Sequence, residues 1–475
     1  MRRGYETRVN QPYFHGGSDL SDNAQHFDVL VIGGGQAGIP LAYTLAAEGR
    51  SVALAEREHL GGSCVNFGCT PTKAAIASAK VAHTARRAEE FGINVPTVEV
   101  DFAAVISRAR NIATTSRNGI ESGFAETENP KYLEGEARFT GKAEGGFTLD
   151  LAGQTVTATE VVIDTGSKTT IPPVDGLDGV EYLSAENWLD REDLPEKLVV
   201  VGGGYIGAEM AQFYRRMGSE VTVVGGSSGR ILPNEDEDVS GAMQEILSEE
   251  GIEFVLGARA EKVEKSASGL TLTLSGGGTV SCTDIFVASG RAPNLEALNL
   301  DVIGLNPEDS GFVGVDEHLR TSVEGVWAAG DVRGGPMFTH TAYDDFKVIL
   351  SAMTGDGSHT TERVIPYAVF TDPELGRAGM TEAQAREAGR DIEVMRYDMA
   401  NDGKSAEIGE TKGFIKVVGD AGTKEILGAS VLASEGSELV HIYIDLMNAG
   451  APHTVVRDAV HIHPTRSESI QSVVA

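Results

Sequence analysis

Two copies of one strand–glycine–helix pattern constrain the fold of this 475-residue chain more than any other feature. In the first copy, the apolar segment 27–32 leads into a G-x-G-x-x-G motif at 33–38; in the second, the apolar segment 198–201 leads into the same motif at 202–207. Glycines at these spacings let the backbone approach a pyrophosphate, and the helix that follows directs its partially positive N-terminus at it. The copies begin 169 residues apart (202 − 33), which is too far for a solenoid repeat. The sequence therefore predicts two dinucleotide-binding domains.

The charge balance is strongly acidic, with 39 basic against 70 acidic residues and a net charge of −31. We expect no nucleic-acid partner, because phosphate binding needs basic patches. We expect no membrane partner either, because no apolar run reaches the ~18 residues of a membrane span. The first residues lack the apolar stretch of a signal peptide, so a cytoplasmic location is expected. Few lysines beside many acids resemble proteins of salt-loving archaea, although an ordinary acidic enzyme has the same balance.

The end of the second strand differs between the two copies. Glu56 lies 23 residues after Gly33, where a carboxylate binds the ribose hydroxyls of a dinucleotide. The same offset in the second copy falls on Gly225, so no carboxylate there would repel a 2′-phosphate. The residues that follow include hydrogen-bond donors suited to a phosphate: Ser227, Ser228 and Arg230. The second site is therefore predicted to prefer NADPH over NADH, although Gly207 stands where NADPH-specific folds often carry alanine.

Two of the three cysteines, Cys64 and Cys69, lie in the glycine-containing segment 61–73. In a regular helix, residues five apart are separated by ~7.5 Å along the axis, which is too far for a disulfide. The glycines permit an irregular turn that brings the sulfurs together. No metal site is predicted, because the third cysteine, Cys282, is distant and the spacing does not suit zinc. Cys282 is expected to be inert.

The residues after Cys69 predict a helix start. Thr70 is typical of an N-cap and Pro71 of a first helical position. Cys69 would then lie at a helix N-terminus, where a thiolate is stabilised, and Lys73 would add positive charge in the same turn.

The cysteine segment and the two glycine motifs together resemble the flavoprotein disulfide reductases. This pyridine nucleotide-disulfide oxidoreductase family includes dihydrolipoamide dehydrogenase, glutathione reductase and mercuric reductase. The resemblance covers almost everything after residue 26 and implies FAD and NAD(P)H as cofactors. It also implies an α/β fold with two Rossmann-like dinucleotide-binding domains and a C-terminal α+β dimerisation domain. The implied boundaries are an N-terminal extension at 1–26, an FAD-binding domain at 27–170 and 291–362, an NAD(P)-binding domain at 171–290 and a dimerisation domain at 363–475.

The resemblance also implies roles for individual residues. Cys64 and Cys69 would form the redox-active disulfide, and Lys73 would pair with Glu209 beside the flavin N5. The residues implied at the FAD site are Gly33, Gly35, Gly38, Glu56, Gly62, Ser63, Gly166, Asp331 and His340. Those implied at the NAD(P)H site, besides the serines and arginine named above, are Gly202, Gly204, Tyr205, Ile206, Gly207, Gly290 and Arg291.

The C-terminal segment resembles the family's His-Pro acid/base motif. His463 precedes Pro464, and Glu468 follows five residues after the histidine, where the family has an orienting glutamate. In the family this histidine reaches the cysteines of the other subunit, so a homodimer is implied. The other nearby histidines, His453 and His461, are expected to be structural.

Departures from the patterns of individual enzymes in the family narrow the range of possible substrates. The chain lacks the C-terminal cysteine pair of mercuric reductases, and His463 stands where those enzymes usually have tyrosine. Tyr43 and Thr44 occupy the region of the first helix where glutathione reductases carry an arginine for the substrate. Dihydrolipoamide dehydrogenases normally use NAD and keep an acid at the position of Gly225.

The function predicted from these features is NADPH-dependent reduction of a low-molecular-weight disulfide through FAD. Cys69 would be the flavin-facing thiolate and Cys64 the residue that attacks the substrate. Because salt-loving archaea as a class use γ-glutamylcysteine as their main small thiol, the best candidate is bis-γ-glutamylcystine. The alternatives are a dihydrolipoamide dehydrogenase, a mercuric-reductase-like enzyme and a non-reductase flavoprotein such as an NADH oxidase.

Overall fold

A computed structural model of the protein describes residues 25–225, 228–267 and 269–475. Residues 1–24 of the expected N-terminal extension therefore lie outside the described residues, as does Ser227. The first strand begins at Gln25, two residues before the predicted apolar run. None of the helices in the described ranges combines the length and the apolar character that crossing a membrane requires.

The first glycine motif opens a mixed sheet of seven strands. Four strands are parallel around the motif, in the order β3-β2-β1-β6, and β5 and β4 extend this sheet as antiparallel strands. The central strand β1 is apolar and buried on both faces, as helices on both sides of a parallel sheet require. The elements of this part are β1 (Gln25–Ile32), α1 (Gly38–Ala47), β2 (Val52–Glu56), α2 (Gly62–Asn66), α3 (Cys69–Arg86), α4 (Phe102–Ala125), β3 (Lys131–Glu134), β4 (Ala137–Ala143), β5 (Gly146–Leu151), β6 (Gln154–Ile163) and β7 (Ser167–Thr169).

The second glycine motif lies in a separate parallel sheet of four strands, in the order β10-β9-β8-β14. A three-stranded antiparallel sheet, β11-β12-β13, packs beside it. The elements here are β8 (Lys197–Val201), α5 (Tyr205–Met217), β9 (Glu220–Gly225), α6 (Glu237–Glu249), β10 (Ile252–Leu256), β11 (Ala260–Ser266), β12 (Gly269–Leu274), β13 (Thr279–Cys282) and β14 (Asp284–Val287).

The chain then returns to the first sheet. A short strand pairs antiparallel with β7, and the next runs parallel to β6, so the first sheet is completed from two separate stretches of sequence. The helix that follows lies beside α1. These elements are β15 (Arg291–Pro293), β16 (Val326–Ala328) and α7 (Thr339–Thr354).

The C-terminal part is a five-stranded antiparallel sheet, in the order β17-β18-β21-β20-β19, with helices packed against it. Its elements are β17 (Pro366–Val369), β18 (Glu374–Gly379), α8 (Glu382–Glu387), β19 (Ile392–Asp398), α9 (Gly403–Glu407), β20 (Phe414–Asp420), β21 (Ile426–Ala433), α10 (Gly436–Leu439), α11 (His441–Asn448), α12 (Thr454–Arg457) and α13 (Ser467–Ser472). The predicted fold class, two Rossmann-like units and a C-terminal α+β unit, is confirmed.

Buried charges join the second parallel sheet to the C-terminal sheet. Glu235, just before α6, accepts a hydrogen bond from Nε of Arg377 on β18 at 2.7 Å, and both side chains are almost fully buried. The next residue, Asp236, lies 2.9 Å from Nζ of Lys416 on β20. These pairs hold the two sheets in a fixed relative position.

Candidate active site

A cavity of about 2200 Å³ connects both glycine motifs with the cysteine pair. Pockets for a single small ligand occupy about 300–1000 Å³, so this cavity has room for more than one. Its walls include Gly33, Cys64, Cys69 and Gly202. The two dinucleotide sites predicted from sequence therefore open onto the same space as the two thiols.

The first glycine motif forms a cradle that side chains would fill. Gly33 has a φ of +111°, and a Cβ there would lie 2.1 Å from the carbonyl oxygen of Asp164. At Gly38 a Cβ would lie 2.3 Å from the carbonyl oxygen of Gly33. Glu56 lines the cavity at the end of β2 and accepts a hydrogen bond from the Gly34 amide at 2.8 Å. This arrangement fits the pyrophosphate and ribose of a bound dinucleotide.

Gly62 and Ser63 lie at the start of α2, and both line the cavity beside this cradle. Gly62 has a φ of +60°, and a Cβ on it would approach Cα of Gly35 to 3.0 Å. The helix carrying Cys64 is thus packed directly against the loop of the first glycine motif.

Asp164 is a buried carboxyl group that sequence reasoning missed. It follows the apolar end of β6, and its Oδ2 accepts a hydrogen bond from the Gly38 amide at 2.8 Å. Burial raises the pKa of Asp164 well above its usual value, and the nearby carboxylates of Asp331 and Asp345 add to the effect. The available signal was an acid directly after a run of three apolar residues, before Gly166.

The return strand brings more of the predicted residues to the same end of the first sheet. Asp331 accepts a hydrogen bond from the Ser167 hydroxyl at 2.5 Å, and Arg291 donates to that hydroxyl at 2.7 Å. Gly166 and Gly290 both have positive φ, and all four predicted residues of this group line the cavity.

His340 lies in the first turn of α7, whose N-terminus faces the cavity. Its Nε2 is 2.6 Å from the carbonyl oxygen of Pro366, and its ring stacks on Phe338 with centroids 5.4 Å apart. Burial lowers the pKa of His340. A lowered pKa favours the neutral form of this histidine, and the N-terminus of α7 adds a partial positive charge beside it.

The two cysteines lie on either side of a tight turn. Cys64 is in α2, and α3 begins at Cys69 itself. The turn closes through a hydrogen bond from the Gly68 amide to the carbonyl oxygen of Ser63 at 2.6 Å. The prediction that Thr70 is the N-cap is wrong, because this turn lets the helix begin two residues earlier, with Gly68 as N-cap. The prediction that Cys69 lies at a helix N-terminus holds.

The two thiols do not form a disulfide in the structure, and their pKa values are shifted in opposite directions. A hydrogen bond from Cys64 and the positive charge of Lys73 lower the pKa of Cys69 to about 6, and Thr339 contributes through its hydroxyl, 3.3 Å from the sulfur. The hydrogen bond to Cys69 and burial raise the pKa of Cys64. Near neutral pH, the pair is one thiolate at Cys69 and one thiol at Cys64.

Lys73 is held in place by a buried acid. Its Nζ lies 2.6 Å from Oε2 of Glu209 on α5, whose other oxygen accepts from the Phe370 amide at 2.9 Å. Nζ also lies 4.6 Å from the centroid of the Phe370 ring. The predicted Lys73–Glu209 pair is present in the structure and lines the cavity next to Cys69.

The second glycine motif repeats the geometry of the first. Gly202 has a φ of +127°, and a Cβ on it would lie 2.1 Å from the carbonyl oxygen of Ala288. A Cβ on Gly207 would lie 2.0 Å from the carbonyl oxygen of Gly202, so close packing explains why alanine is absent there. Gly204, Tyr205 and Ile206 also line the cavity.

The end of β9 carries no carboxylate. Gly225 has a φ of +151°, and Ser228 lines the cavity nearby. Arg230 does not line it: its guanidinium donates to the carbonyl oxygen of Pro233 at 3.1 Å and lies 3.4 Å from Glu237. Of the two predicted phosphate donors that the structure describes, Ser228 therefore lines the cavity and Arg230 does not.

Comparison with known proteins agrees with this geometry. Residues 27–345 match the family described as pyridine nucleotide-disulphide oxidoreductase, and residues 365–474 match its dimerisation domain. The chain belongs to the pyridine nucleotide-disulphide oxidoreductase family. It is therefore a flavoprotein enzyme that uses FAD and NAD(P)H, as the sequence predicted.

Relatives of this oxidoreductase align over nearly their full length. The dihydrolipoyl dehydrogenase of Cupriavidus necator is 34% identical over 459 residues, covering 94% of this chain and 96% of the relative. The probable pyridine nucleotide-disulfide oxidoreductase RclA of Escherichia coli is 32% identical and covers 94% and 98%. The solved structure of that HOCl-induced flavoprotein disulfide reductase superposes with a TM-score of 0.85 at 31% identity, covering 94% of this chain and 99% of that chain.

The His-Pro segment of the oxidoreductase lies away from the cysteines of its own chain. Nδ1 of His463 is 3.1 Å from Glu468, but the side chain is 82% exposed and does not line the cavity. The Thr465 amide and His463 lower the pKa of Glu468. His453 is buried against Glu393 at 2.7 Å, in keeping with the structural role expected for it.

Proposed function

We propose that this oxidoreductase reduces a low-molecular-weight disulfide at the expense of NADPH in the cytoplasm. One NADPH and one proton convert one disulfide into two thiols and NADP⁺. The observation that carries the proposal is the difference in pKa within the cysteine pair, which favours a thiolate at Cys69 and a thiol at Cys64. FAD, when bound in the cradle of the first glycine motif, supplies the two-electron relay between NADPH and this pair.

The two cysteines then act in turn. Cys64 loses its proton and attacks one sulfur of the substrate disulfide, which forms a mixed disulfide and releases the first thiolate. The proton from Cys64 passes to that leaving thiolate. Cys69 next attacks the Cys64 sulfur, which restores the Cys64–Cys69 disulfide and releases the second thiolate, and this product takes a proton from solvent.

A base is needed because the raised pKa of Cys64 keeps it protonated. His463 of the partner subunit is the group that we propose for this transfer, with Glu468 holding its other ring nitrogen. The exposure of His463 and its distance from its own cavity support an active site shared across the dimer. The dimerisation domain at residues 365–474 supports the same assembly.

Subunit mixing tests the shared site. Cys64→Ser and His463→Gln each inactivate a homodimer, but a mixed dimer of the two keeps one intact site. Random exchange should restore about a quarter of the wild-type activity, because half of the dimers are mixed and each has one working site of two. If mixing restores no activity while mixed dimers form, the histidine does not act across the interface.

The absence of a carboxylate at the end of β9 supports NADPH as the preferred reductant. The measurement is kcat/KM for NADPH and NADH with one disulfide, and a preference for NADH contradicts the proposal. An acid is best introduced at Ser228, because the positive φ of Gly225 would strain any larger residue there. Ser228→Asp should shift the ratio towards NADH by repelling the 2′-phosphate.

The proposed substrate is bis-γ-glutamylcystine. Tyr43 does not line the cavity, and its ring packs on Phe124 with centroids 4.8 Å apart, so it is not placed to bind a substrate carboxylate there. Arg117 on α4 is the cation that we propose instead, because it lines the cavity. Helix α4 packs against α2, the short helix that carries Cys64. Nε of Arg117 lies 3.6 Å from the carboxylate of Glu121. The acidic, lysine-poor composition supports the same substrate through its resemblance to salt-loving archaea.

A panel of substrates tests this assignment. We expect kcat/KM at molar salt to be highest for bis-γ-glutamylcystine, lower for glutathione disulfide and lowest for lipoamide. Arg117→Gln should raise KM for the two anionic disulfides and leave KM for uncharged lipoamide unchanged. The second candidate is dihydrolipoyl dehydrogenase, favoured by relatives of that name, including one from Halobacterium salinarum that is 34% identical. Best turnover of lipoamide would select it.

A further inference from the structure

Arg259 differs from every other arginine in the described ranges. The other guanidinium groups each have a hydrogen bond or an ion pair, among them Arg86, Arg108 and Arg138 with carbonyl oxygens. The guanidinium of Arg259 has neither, although the net charge of the chain is −31 and acids are abundant. Arg259 also lines the large cavity. A cation is therefore free to bind a ligand there.

The backbone places Arg259 next to the end of β9. The Gly257 amide donates to the carbonyl oxygen of Gly225 at 3.2 Å, so the ends of β9 and β10 remain paired. Arg259 follows two residues later, and its own amide and carbonyl are both bonded to Ser275, at 2.9 Å and 2.8 Å. In a Rossmann-like unit, the adenosine ribose binds at the end of this second strand. The side chain thus projects from a fixed backbone position beside the ribose site.

The neighbouring arginine is already occupied. The guanidinium of Arg230 donates to the carbonyl oxygen of Pro233 and lies 3.4 Å from Glu237, and Arg230 itself does not line the cavity. Glu261, by contrast, lines the cavity two residues beyond Arg259. A dianionic phosphate near Glu261 requires a compensating cation, and Arg259 is the arginine available for it.

We propose that Arg259 binds the 2′-phosphate of NADPH and that Ser228 is a second donor to it. A guanidinium matches two phosphate oxygens with parallel hydrogen bonds, whereas NADH presents only a hydroxyl at that position. The inference rests on the NADPH preference proposed above and names the residue responsible for it. Arg259 is then a residue that determines cofactor specificity. The sequence did not reveal it, because it follows β10 and lies outside the glycine motif.

Two measurements on the holoenzyme test the assignment. The first is kcat/KM for NADPH and NADH in wild type, Arg259→Gln and Arg259→Lys. The second is calorimetric binding of 2′,5′-ADP and 5′-AMP to the oxidised holoenzyme, which reports affinity without turnover. Lys142→Gln is the control, because it removes one exposed cation from the β4–β5 hairpin.

We expect Arg259→Gln to lower kcat/KM for NADPH and affinity for 2′,5′-ADP by about tenfold, the loss typical of one charge-assisted pair. Values for NADH and 5′-AMP should stay within about twofold. Arg259→Lys should retain part of the effect, since it keeps the charge but not the planar fork. Lys142→Gln should change none of the four values.

The failures of the two proposals can be told apart. If wild type prefers NADPH and Arg259→Gln keeps that preference, the Arg259 inference is overturned while the NADPH proposal stands. Loss of the preference in Arg230→Gln would then return the role to Arg230. If wild type prefers NADH and binds 2′,5′-ADP no more tightly than 5′-AMP, the NADPH proposal fails and the Arg259 inference fails with it.

Discussion

Replacing Lys73 with methionine tests the electrostatics of the cysteine pair directly. With a pKa of about 6, Cys69 is about nine-tenths thiolate at pH 7, whereas a thiol of pKa 9.0 is about one-hundredth thiolate. Lys73 is the main charge behind this lowering, after the hydrogen bond from Cys64. Its removal also leaves the buried carboxylate of Glu209 uncompensated, and that charge raises the pKa of Cys69. We expect Lys73→Met to raise the pKa by about one unit, which leaves about half of Cys69 as thiolate at pH 7.

The rate of iodoacetamide alkylation of Cys69, followed against pH in the dithiothreitol-reduced holoenzyme, gives the pKa. Peptide mass spectrometry identifies the labelled residue, and Cys282 does not compete because burial raises its pKa to about 12. The double variant Lys73→Met/Glu209→Gln removes both charges, so its pKa should lie between those of wild type and the single variant. An unchanged pKa in the single variant, or a higher one in the double variant, would refute the electrostatic reasoning.

Three further predictions concern other parts of the molecule. The raised pKa of Asp164 means that the unfolded state ionises first as pH rises above about 4, so folding stability falls from there upwards. Asp164→Asn should therefore raise Tm at pH 8, and the Tm difference from wild type should shrink towards pH 4. A Tm difference that grows as the pH is lowered would contradict this reasoning. Glu235→Gln should lower the free energy of unfolding in denaturant by about 3–5 kcal/mol, because it leaves Arg377 buried without its partner, whereas Glu235→Gln/Arg377→Met should cost less. Glu468→Gln should lower kcat for disulfide reduction at least about tenfold without changing alkylation of Cys69, because Glu468 contacts His463 and not the cysteines; an unchanged kcat would remove its positioning role.

Much of the fold was predictable because its signals are local. An apolar run followed by closely spaced glycines specifies a strand, a turn and a helix within about 25 residues, and both copies have the predicted form. The cysteine segment was equally informative, since its three glycines and one proline indicated a tight turn around the thiols followed by a helix. The predicted N-cap was two residues too late, because the helix start depends on the Gly68–Ser63 hydrogen bond, which residue types alone do not reveal.

Residues that act through distant contacts were harder to find. In the sequence, Asp164 is an acid that follows the apolar end of β6, and its importance comes from its contact with Gly38, 126 positions earlier. Arg259 lies 57 residues after the start of the second glycine motif (259 − 202), beyond the window in which the motif's own pattern applies. Arg230 had the right charge and spacing, but Pro233 and Glu237 hold its guanidinium elsewhere.

The paired charges before α6 have a consequence for how this enzyme could be altered by recombination. Glu235 and Asp236 belong to the part that carries the second glycine motif, whereas Arg377 and Lys416 belong to the C-terminal sheet. A chimera that took that part from a relative lacking those acids would leave the Arg377 guanidinium buried without its carboxylate partner, and Lys416 would lose one of its carboxylate partners. Exchange of cofactor specificity by swapping that part therefore demands compensating changes some 140 to 180 positions away (377 − 235 and 416 − 236), whereas single substitutions at the mouth of the nucleotide site do not.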